Sequence, residues 1–169
     1  MPLLYLTPLT HDQQRAFGIA PPAPLALADR VRFGELDALN HVNNVAYMRW
    51  FETLRIRYTQ DWGISHHVAQ PGDPRIVIRS GQIHYRQEMH MDQDYIATCG
   101  CIGFRNTSFS LRQQIWADGS LRASFDCVMV LLQNDGSGDR FALPEHLKSR
   151  FFEVDGAAPE ELHSQFPVP

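Results

Sequence analysis

The segment with the most chemical content begins at a carboxylate that lies just before a predicted helix. Asp37 is followed by His41 and by Asn43 and Asn44, two residues suited to cap the amino end of a helix. A carboxylate can act as a general base towards water, or it can attack a carbonyl carbon itself. The backbone N–H groups of a first helical turn lack intrahelical partners and suit a developing oxyanion. Together these groups would suit chemistry at an activated carbonyl group.

Each of these residues also has a simpler structural interpretation. Asp37 is suited to a turn, and His41 can hydrogen-bond the loop that contains it. The two asparagines can serve as helix caps alone. Glu88 can be a solvated charge at a strand end beside Arg86, and Glu52 is spaced to form helix-surface ion pairs with arginines three residues away on either side.

One strand, one long helix and a set of further strands must position these residues. Leu27–Phe33 is predicted as a strand, and apolar residues at helical spacing predict a helix from about Asn44 to a stop at Gly63. After Arg75 the hydrophobic period changes to two. It predicts the strands Ile76–Tyr85, Tyr95–Phe104, Thr107–Trp116 and Leu121–Leu132, the last two joined by an Asp118-Gly119 turn. This order predicts an α+β fold in which an antiparallel sheet of five to six strands wraps around one central helix.

The two ends of the chain are predicted to lie outside the main domain. Residues 1–24 form a leader that ends in a Pro-rich linker, with a short helix after Thr10. Residues 25–153 form the domain, which closes with a helix over Pro144–Phe152. Residues 154–169 are expected to be a tail.

Composition limits the class of protein and of partner. The chain has 169 residues and a formal net charge of −4, so we expect a single domain that binds neither nucleic acid nor membrane. The longest apolar run, Val128–Leu132, is far below the roughly 20 residues that cross a bilayer. The amino terminus lacks a basic segment typical of secretion signals. Cys99, Cys101 and Cys127 are interpreted as core residues of a cytoplasmic protein.

No metal or cofactor is predicted. The sequence contains neither a P-loop nor a Gly-rich dinucleotide motif, and it has no serine elbow of the α/β-hydrolase type. Several histidines and aspartates lack the spacing of known metal ligands: His66, His67, His84, His90, Asp92 and Asp94.

The stretch FGELDALNHVNNVAYMRWFETLR, Phe33–Arg55, resembles the first strand and central helix of the hotdog-fold thioesterases. This superfamily includes 4-hydroxybenzoyl-CoA thioesterase and the plant acyl-acyl-carrier-protein thioesterases, in which an Asp precedes a His-Val-Asn-Asn run. The string IHYRQE, Ile83–Glu88, resembles the strand after the helix in the plant enzymes. The resemblance spans about residues 27–132.

The resemblance implies a set of site residues. Asp37, His41 and Glu88 match catalytic positions, and the substrate-binding positions are Asn43, Asn44, Val45, Tyr47 and Arg86. Leu39 departs from the plant pattern, which has Asn there, while Asn40 is one residue out of register. A thiol leaves readily because its pKa is about 8.5, so one positioned carboxylate can suffice.

The implied function is an acyl-CoA thioesterase that hydrolyses a thioester to free acid and thiol. Three alternatives remain open: an acyl-carrier-protein thioesterase, a hotdog hydratase or dehydratase, and a non-catalytic acyl-thioester-binding protein. The resemblance also implies a homodimer or a dimer of dimers with active sites at the subunit boundary. The phosphates of CoA would need basic partners, for which Arg86, Arg105 and Arg112 are candidates.

Overall fold

The computed structural model describes residues 3–64 and 72–160. Its elements are α1 (His11–Ala16), β1 (Leu25–Arg30), α2 (Asn44–Asp61), β2 (Arg75–Tyr85), β3 (Asp94–Phe104), β4 (Ser108–Ala117), β5 (Ser120–Leu132), α3 (Glu145–Asp155) and β6 (Ala158–Pro159). The strands form one sheet in the order β1-β3-β4-β5-β2, and β6 pairs with β3. The predicted α+β class with one long helix is confirmed. His66, His67 and the tail beyond residue 160 lie outside the described residues.

The strands after the long helix begin and end within a residue or so of their predicted limits. The turn between β4 and β5 also matches its sequence signal, because Asp118 and Gly119 both have positive φ, 51° and 69°. Two successive residues with positive φ form a tight turn whose backbone twist matches that of the two strands in a hairpin. β1 pairs antiparallel with β3, from Leu25 opposite Cys99 to Arg30 opposite Asp94.

The predicted limits of the first strand, Leu27–Phe33, are wrong at both ends. β1 begins at Leu25, and a 3₁₀ turn at Phe33–Glu35 leaves the Phe33 side chain 78% exposed. The carboxylate of Glu35 accepts from the Arg32 N–H at 2.7 Å, which turns the chain away from the sheet. At the other end, residues of the leader cover the second face of β1, so the strand is buried on both faces.

The leader contains the short helix predicted after Thr10. The Thr10 hydroxyl accepts from the Gln13 N–H at 3.2 Å, and the Gln13 side chain accepts from the Thr10 N–H at 2.8 Å. This reciprocal pair is a capping box. Leader and strand residues form a shared apolar cluster: Leu9, Ile19, Ala26, Ala28 and Ile96. The domain boundaries of the sequence analysis stay a prediction.

The chain divides into two compact units, which are described separately. The first comprises residues 1–58, 82–100 and 112–126, and its core includes Phe51, Leu54 and Phe125. The second comprises residues 59–81, 101–111 and 127–169. In its described part, the Phe151 ring of α3 packs against Phe109 at 5.2 Å between centroids.

The cysteines and the helices test two expectations from the sequence, one about burial and one about membrane-spanning segments. Cys99, Cys101 and Cys127 are all buried, as the sequence predicts, and none of them forms a disulfide within the described residues. Burial raises the pKa of the Cys101 thiol well above its usual range. None of the described helices is long and apolar enough to span a membrane.

Candidate active site

A tight loop over residues 36–42 brings Asp37 and His41 to the amino end of α2. Leu36 and Val42 form an antiparallel bridge, and the Asp37 N–H donates to the His41 carbonyl at 2.8 Å. Asn40 has a φ of 64°, a left-handed conformation that asparagine tolerates better than most residues. The sequence LDALNHV therefore folds back on itself within a few residues.

The Asp37 carboxylate has one oxygen engaged by the loop and one oxygen available. Oδ1 accepts from the N–H groups of Leu39 at 2.8 Å and His41 at 3.2 Å. Oδ2 has no hydrogen-bond partner in the part of the chain that the structure describes. The turn interpretation and the chemical interpretation of Asp37 are thus compatible, because they use different oxygens. Leu39 contributes its backbone, and its side chain is 74% exposed.

The start of α2 has one capped and one uncapped donor. Asn43 Oδ1 accepts from the Val45 N–H at 2.9 Å, and the Asn43 carbonyl accepts from the Ala46 N–H at 2.9 Å. Asn43 therefore acts as the helix cap. The Asn44 N–H has no acceptor among residues 3–64 and 72–160. It is an available donor at the positive end of the helix dipole.

A cavity of about 400 Å³ lies in the first unit and brings most of the predicted site residues together. Its lining comprises Asp37, His41, Val42, Asn44, Tyr47, Tyr85, Arg86, Gln87 and Glu88. Asn43 and Val45, also predicted to bind substrate, do not line it. Tyr85 and Gln87 were not singled out from the sequence, although both lie in the motif that contains Arg86 and Glu88.

Glu88 lies between two imidazoles rather than standing alone at a strand end. His41 Nε2 is 3.4 Å from Glu88 Oε2, and His90 Nε2 is 3.8 Å from Glu88 Oε1. The two imidazole rings meet edge to face, with centroids 5.3 Å apart. His90 was considered in the sequence only as a metal ligand. Within the described residues, no group of three or more His, Cys, Asp or Glu side chains could hold a metal ion.

The segment that carries Arg86, Gln87 and Glu88 is held to β5 and to the loop over residues 36–42. The N–H groups of Arg86 and Gln87 donate to the Arg122 carbonyl at 2.7 and 3.3 Å. Just beyond Glu88, the carbonyl of the fully buried Met89 accepts from the Val42 N–H at 2.8 Å. These bonds place Glu88 opposite His41, a juxtaposition that residues so distant in sequence do not indicate.

The Arg122 side chain braces the same segment. Its guanidinium donates to Gln87 Oε1 at 2.8 Å, to Asp118 Oδ2 at 3.1 Å and to the Ala117 carbonyl at 3.2 Å. The side chain is only 14% exposed. Arg122 thus joins the wall of the cavity to the turn between β4 and β5, and sequence reasoning missed it because an arginine on a strand carries no distinctive signal.

Two tyrosines form the aromatic part of the cavity wall. The Tyr47 and Tyr85 rings meet at 71° with centroids 5.3 Å apart. Burial raises the pKa of Tyr47 to about 12, although the nearby positive charge of Arg122 acts in the opposite direction. Burial also raises the pKa of the Tyr85 phenol. Both phenols therefore keep their protons at neutral pH.

Helix α2 is anchored beside the cavity by Trp50. Its Nε1–H donates to Glu35 Oε1 at 2.7 Å, and its ring stacks on Tyr95 with centroids 4.2 Å apart. The Glu35 carbonyl also accepts from the Asn43 N–H at 2.8 Å. Glu35 therefore fixes both the 3₁₀ turn and the start of the helix.

The ion pairs predicted for Glu52 are absent among the described residues. Arg55 turns inward instead and is 8% exposed, with its Nη1 donating to Gln113 Oε1 at 3.1 Å. Gln113 in turn donates to the Phe51 carbonyl at 2.6 Å. A polar partner on the facing strand, which helical spacing cannot indicate, decides this orientation.

The three candidate phosphate-binding arginines have different surroundings. Arg86 lines the cavity. Arg105 Nε lies 3.2 Å from Glu160 Oε2, and Arg112 forms a two-pronged contact with Asp126. Arg86 is therefore the candidate of the three that lies at the site.

An α+β sheet with one long helix, and an Asp-His-Asn-Asn loop that opens on a cavity at the start of that helix, defines the class of hotdog-fold thioesterases. Residues 31–151 match the sequence profile of the thioesterase-like superfamily. The chain belongs to this superfamily. No curated protein matches the chain.

Solved structures agree with this assignment. A thioesterase-superfamily protein from Jannaschia sp. CCS1 is 39% identical, with a TM-score of 0.84, and the match covers 93% of this chain and 98% of that one. A thioesterase from Thermus thermophilus, complexed with coenzyme A and Zn, is 26% identical, with a TM-score of 0.69 over 80% and 97% of the two chains. A hypothetical protein from Staphylococcus aureus in complex with CoA shares the fold, at 16% identity and a TM-score of 0.71 over 85% and 94%.

Proposed function

We propose that this chain is an acyl-CoA thioesterase, which uses water to convert an acyl-CoA to a free acid and CoA. The observation that carries the proposal is the pairing of an available carboxylate oxygen with an available helix N–H. Asp37 Oδ2 and the Asn44 N–H both lack protein partners among the described residues, and both residues line one cavity. The first supplies a base or nucleophile, and the second supplies an oxyanion donor.

The chemistry needs only a few groups. Asp37 takes a proton from water as the water attacks the thioester carbon, or it attacks that carbon itself and water hydrolyses the resulting anhydride. The carbonyl oxygen becomes negative during attack and accepts from the Asn44 N–H. The C–S bond then breaks, and the thiolate leaves readily because the pKa of a thiol is about 8.5. His41 and Glu88 serve to orient the loop and the attacking group.

Three observations favour CoA over a carrier protein as the leaving group. The related thioesterase from Thermus thermophilus was solved with coenzyme A. Arg86, at the cavity, is a basic residue suited to a CoA phosphate. The chain itself has a formal net charge of −4, which offers no overall attraction to an acidic carrier protein.

The active protein is proposed to be a homodimer or a dimer of dimers. β2 lies at one end of the strand order, so one of its edges carries backbone groups without a neighbouring strand in the described sheet. The outer face of α2 exposes Val45, Met48 and Ile56, at 50%, 38% and 48%. Light scattering coupled to gel filtration tests this part of the proposal, and a monomer of 19.3 kDa with full activity would contradict it.

The decisive experiment measures thiol release from acyl-CoAs by the wild type and by Asp37→Asn. Asparagine keeps the Oδ1 acceptor for the Leu39 and His41 N–H groups, so the loop is preserved while the charge is lost. We expect turnover to fall about 10²- to 10⁴-fold. An enzyme-only blank corrects for the three cysteines of the chain.

Asp92→Asn provides the matched control. Asp92 lies in an exposed loop with a φ of 63°, outside the cavity, and asparagine suits that conformation equally well. This variant should retain wild-type turnover. Full activity in Asp37→Asn would remove Asp37 from the chemistry, whereas acyl-CoA binding without release by the wild type would favour a binding protein.

A further inference from the structure

Tyr47, which lines the cavity, carries a hydroxyl that the proposed reaction leaves unused. Tyr47 lines the cavity and is only 3% exposed, yet its hydroxyl has no hydrogen-bond partner in the described part of the chain. The oxygen itself keeps some contact with solvent. A tyrosine hydroxyl whose ring is buried usually has a hydrogen-bond partner. A molecule bound in the cavity is where this hydroxyl can find one.

The protonation state of Tyr47 determines what kind of atom it can bind. Burial raises the pKa of the phenol to about 12, so the group carries its proton at neutral pH. The ring of Tyr85 packs against it edge to face and holds it in place. Tyr47 therefore presents a fixed hydrogen-bond donor, and the matching group on a ligand is an acceptor.

The rest of the wall disfavours a purely hydrocarbon occupant. Apart from Val42 and the two tyrosine rings, the lining side chains are polar or charged: Asp37, His41, Asn44, Arg86, Gln87 and Glu88. An alkyl chain would remove water from these groups without replacing their hydrogen bonds, which costs free energy.

The charges of the wall also disfavour a second anionic group on the acyl chain. Two carboxylates, Asp37 and Glu88, line the cavity with one guanidinium, that of Arg86. An additional carboxylate on the substrate would be repelled by the first two. An uncharged oxygen avoids this repulsion.

We infer that the acyl group taken by this site bears an uncharged oxygen, a hydroxyl or a keto group, to which the Tyr47 hydroxyl donates a hydrogen bond. The inference rests on the proposed thioesterase function and specifies its substrate class. Tyr47 then determines specificity, whereas Asp37 performs the chemistry.

The test compares acyl groups of equal chain length that differ by one oxygen. The panel is butyryl-CoA, the 2-, 3- and 4-hydroxybutyryl-CoAs and acetoacetyl-CoA, and the readout is kcat and KM for each. For the wild type we expect kcat/KM to be about tenfold higher for at least one oxygen-bearing substrate than for butyryl-CoA. Tyr47→Phe should abolish that preference, so that within this variant kcat/KM for the oxygen-bearing substrate falls to the value for butyryl-CoA.

Tyr95→Phe is the matched control. It removes another hydroxyl from a buried tyrosine, 4% exposed, that stacks on Trp50 and does not line this cavity. It should retain the wild-type preference, and thermal unfolding of both variants checks that the fold is intact.

Failures of the inference and of the proposed function give different results. If kcat/KM of the wild type for butyryl-CoA equals or exceeds that for every oxygen-bearing substrate, the inference is wrong and the thioesterase proposal stands. The same conclusion follows if Tyr47→Phe lowers kcat/KM equally for all substrates. If the wild type hydrolyses no acyl-CoA in a panel that extends from acetyl to palmitoyl, the proposed function fails, and this inference fails with it.

Discussion

Replacement of Arg122 by methionine would remove three hydrogen bonds without removing much packing volume. The guanidinium donates to Gln87 Oε1, to the Ala117 carbonyl and to Asp118 Oδ2. Methionine keeps an unbranched apolar stem that can fill the same 14% exposed site. The variant therefore isolates the guanidinium's polar role.

The magnitude follows from the three bonds. The bonds to Gln87 and to the Ala117 carbonyl contribute on the order of 1 kcal/mol each. The contact with Asp118 contributes less, because that carboxylate is 69% exposed and screened by solvent. We expect the free energy of unfolding to fall by about 2–3 kcal/mol, measured by urea titration of a two-state transition.

Activity should change together with stability. Without Arg122, the segment that carries Gln87 and Glu88 loses its brace, so kcat/KM for an acyl-CoA should fall about tenfold. Arg122→Lys keeps the charge but not the planar set of donors, so it should retain only part of the activity.

Arg112→Met is the matched control for Arg122→Met. Arg112 also spans β4 and β5, through a two-pronged contact with Asp126, but it is 52% exposed and lies outside the cavity. Its loss should cost about 1 kcal/mol or less and leave kcat/KM unchanged. Equal effects of the two substitutions on activity would refute the positioning role of Arg122.

Three further predictions concern stability. Trp50→Phe removes the hydrogen bond to Glu35, so the free energy of unfolding measured in urea should fall by about 1–2 kcal/mol. An unchanged urea midpoint would contradict the anchoring role of Trp50. Gly119→Ala should lower the melting temperature, because alanine is strained at a φ of +69°. Gly34→Ala should not lower it, because a Cβ added at position 34 meets no atom within 4 Å. The hydrogen bond from Arg30 lowers the pKa of Asp94 in the folded protein below its ordinary value of 3.8. The ionised Asp94 therefore stabilises the fold at any pH above 3.8, and this contribution is lost as the pH falls through the pKa of Asp94 in the folded state. Melting temperatures of wild type and Asp94→Asn should therefore differ at pH 7 and converge near pH 2.

Much of the fold could be predicted because its signals are local. The alternation of apolar residues predicts β4 and β5, and Asp118-Gly119 predicts the turn between them. The limits of β1 could not be read in this way. They depend on two contacts. Leader residues pack against the second face of β1, and the Arg32 N–H donates a hydrogen bond to the Glu35 carboxylate.

The sequence by itself determined the loop that carries Asp37 and His41. The order of residues from Asp37 to Asn44 encodes the turn, the cap and the available helix donor, because all of these interactions form within a few residues of one another. The resemblance of this segment to the hotdog thioesterases was informative for the same reason.

Only the tertiary structure decided what faces that loop. The placement of Glu88 between His41 and His90, the bracing of its segment by Arg122 and the pairing of Tyr85 with Tyr47 join residues that lie far apart in the sequence. Such contacts depend on strand register and on which side of the sheet each residue faces, and these follow from the packing of the whole sheet rather than from local preference.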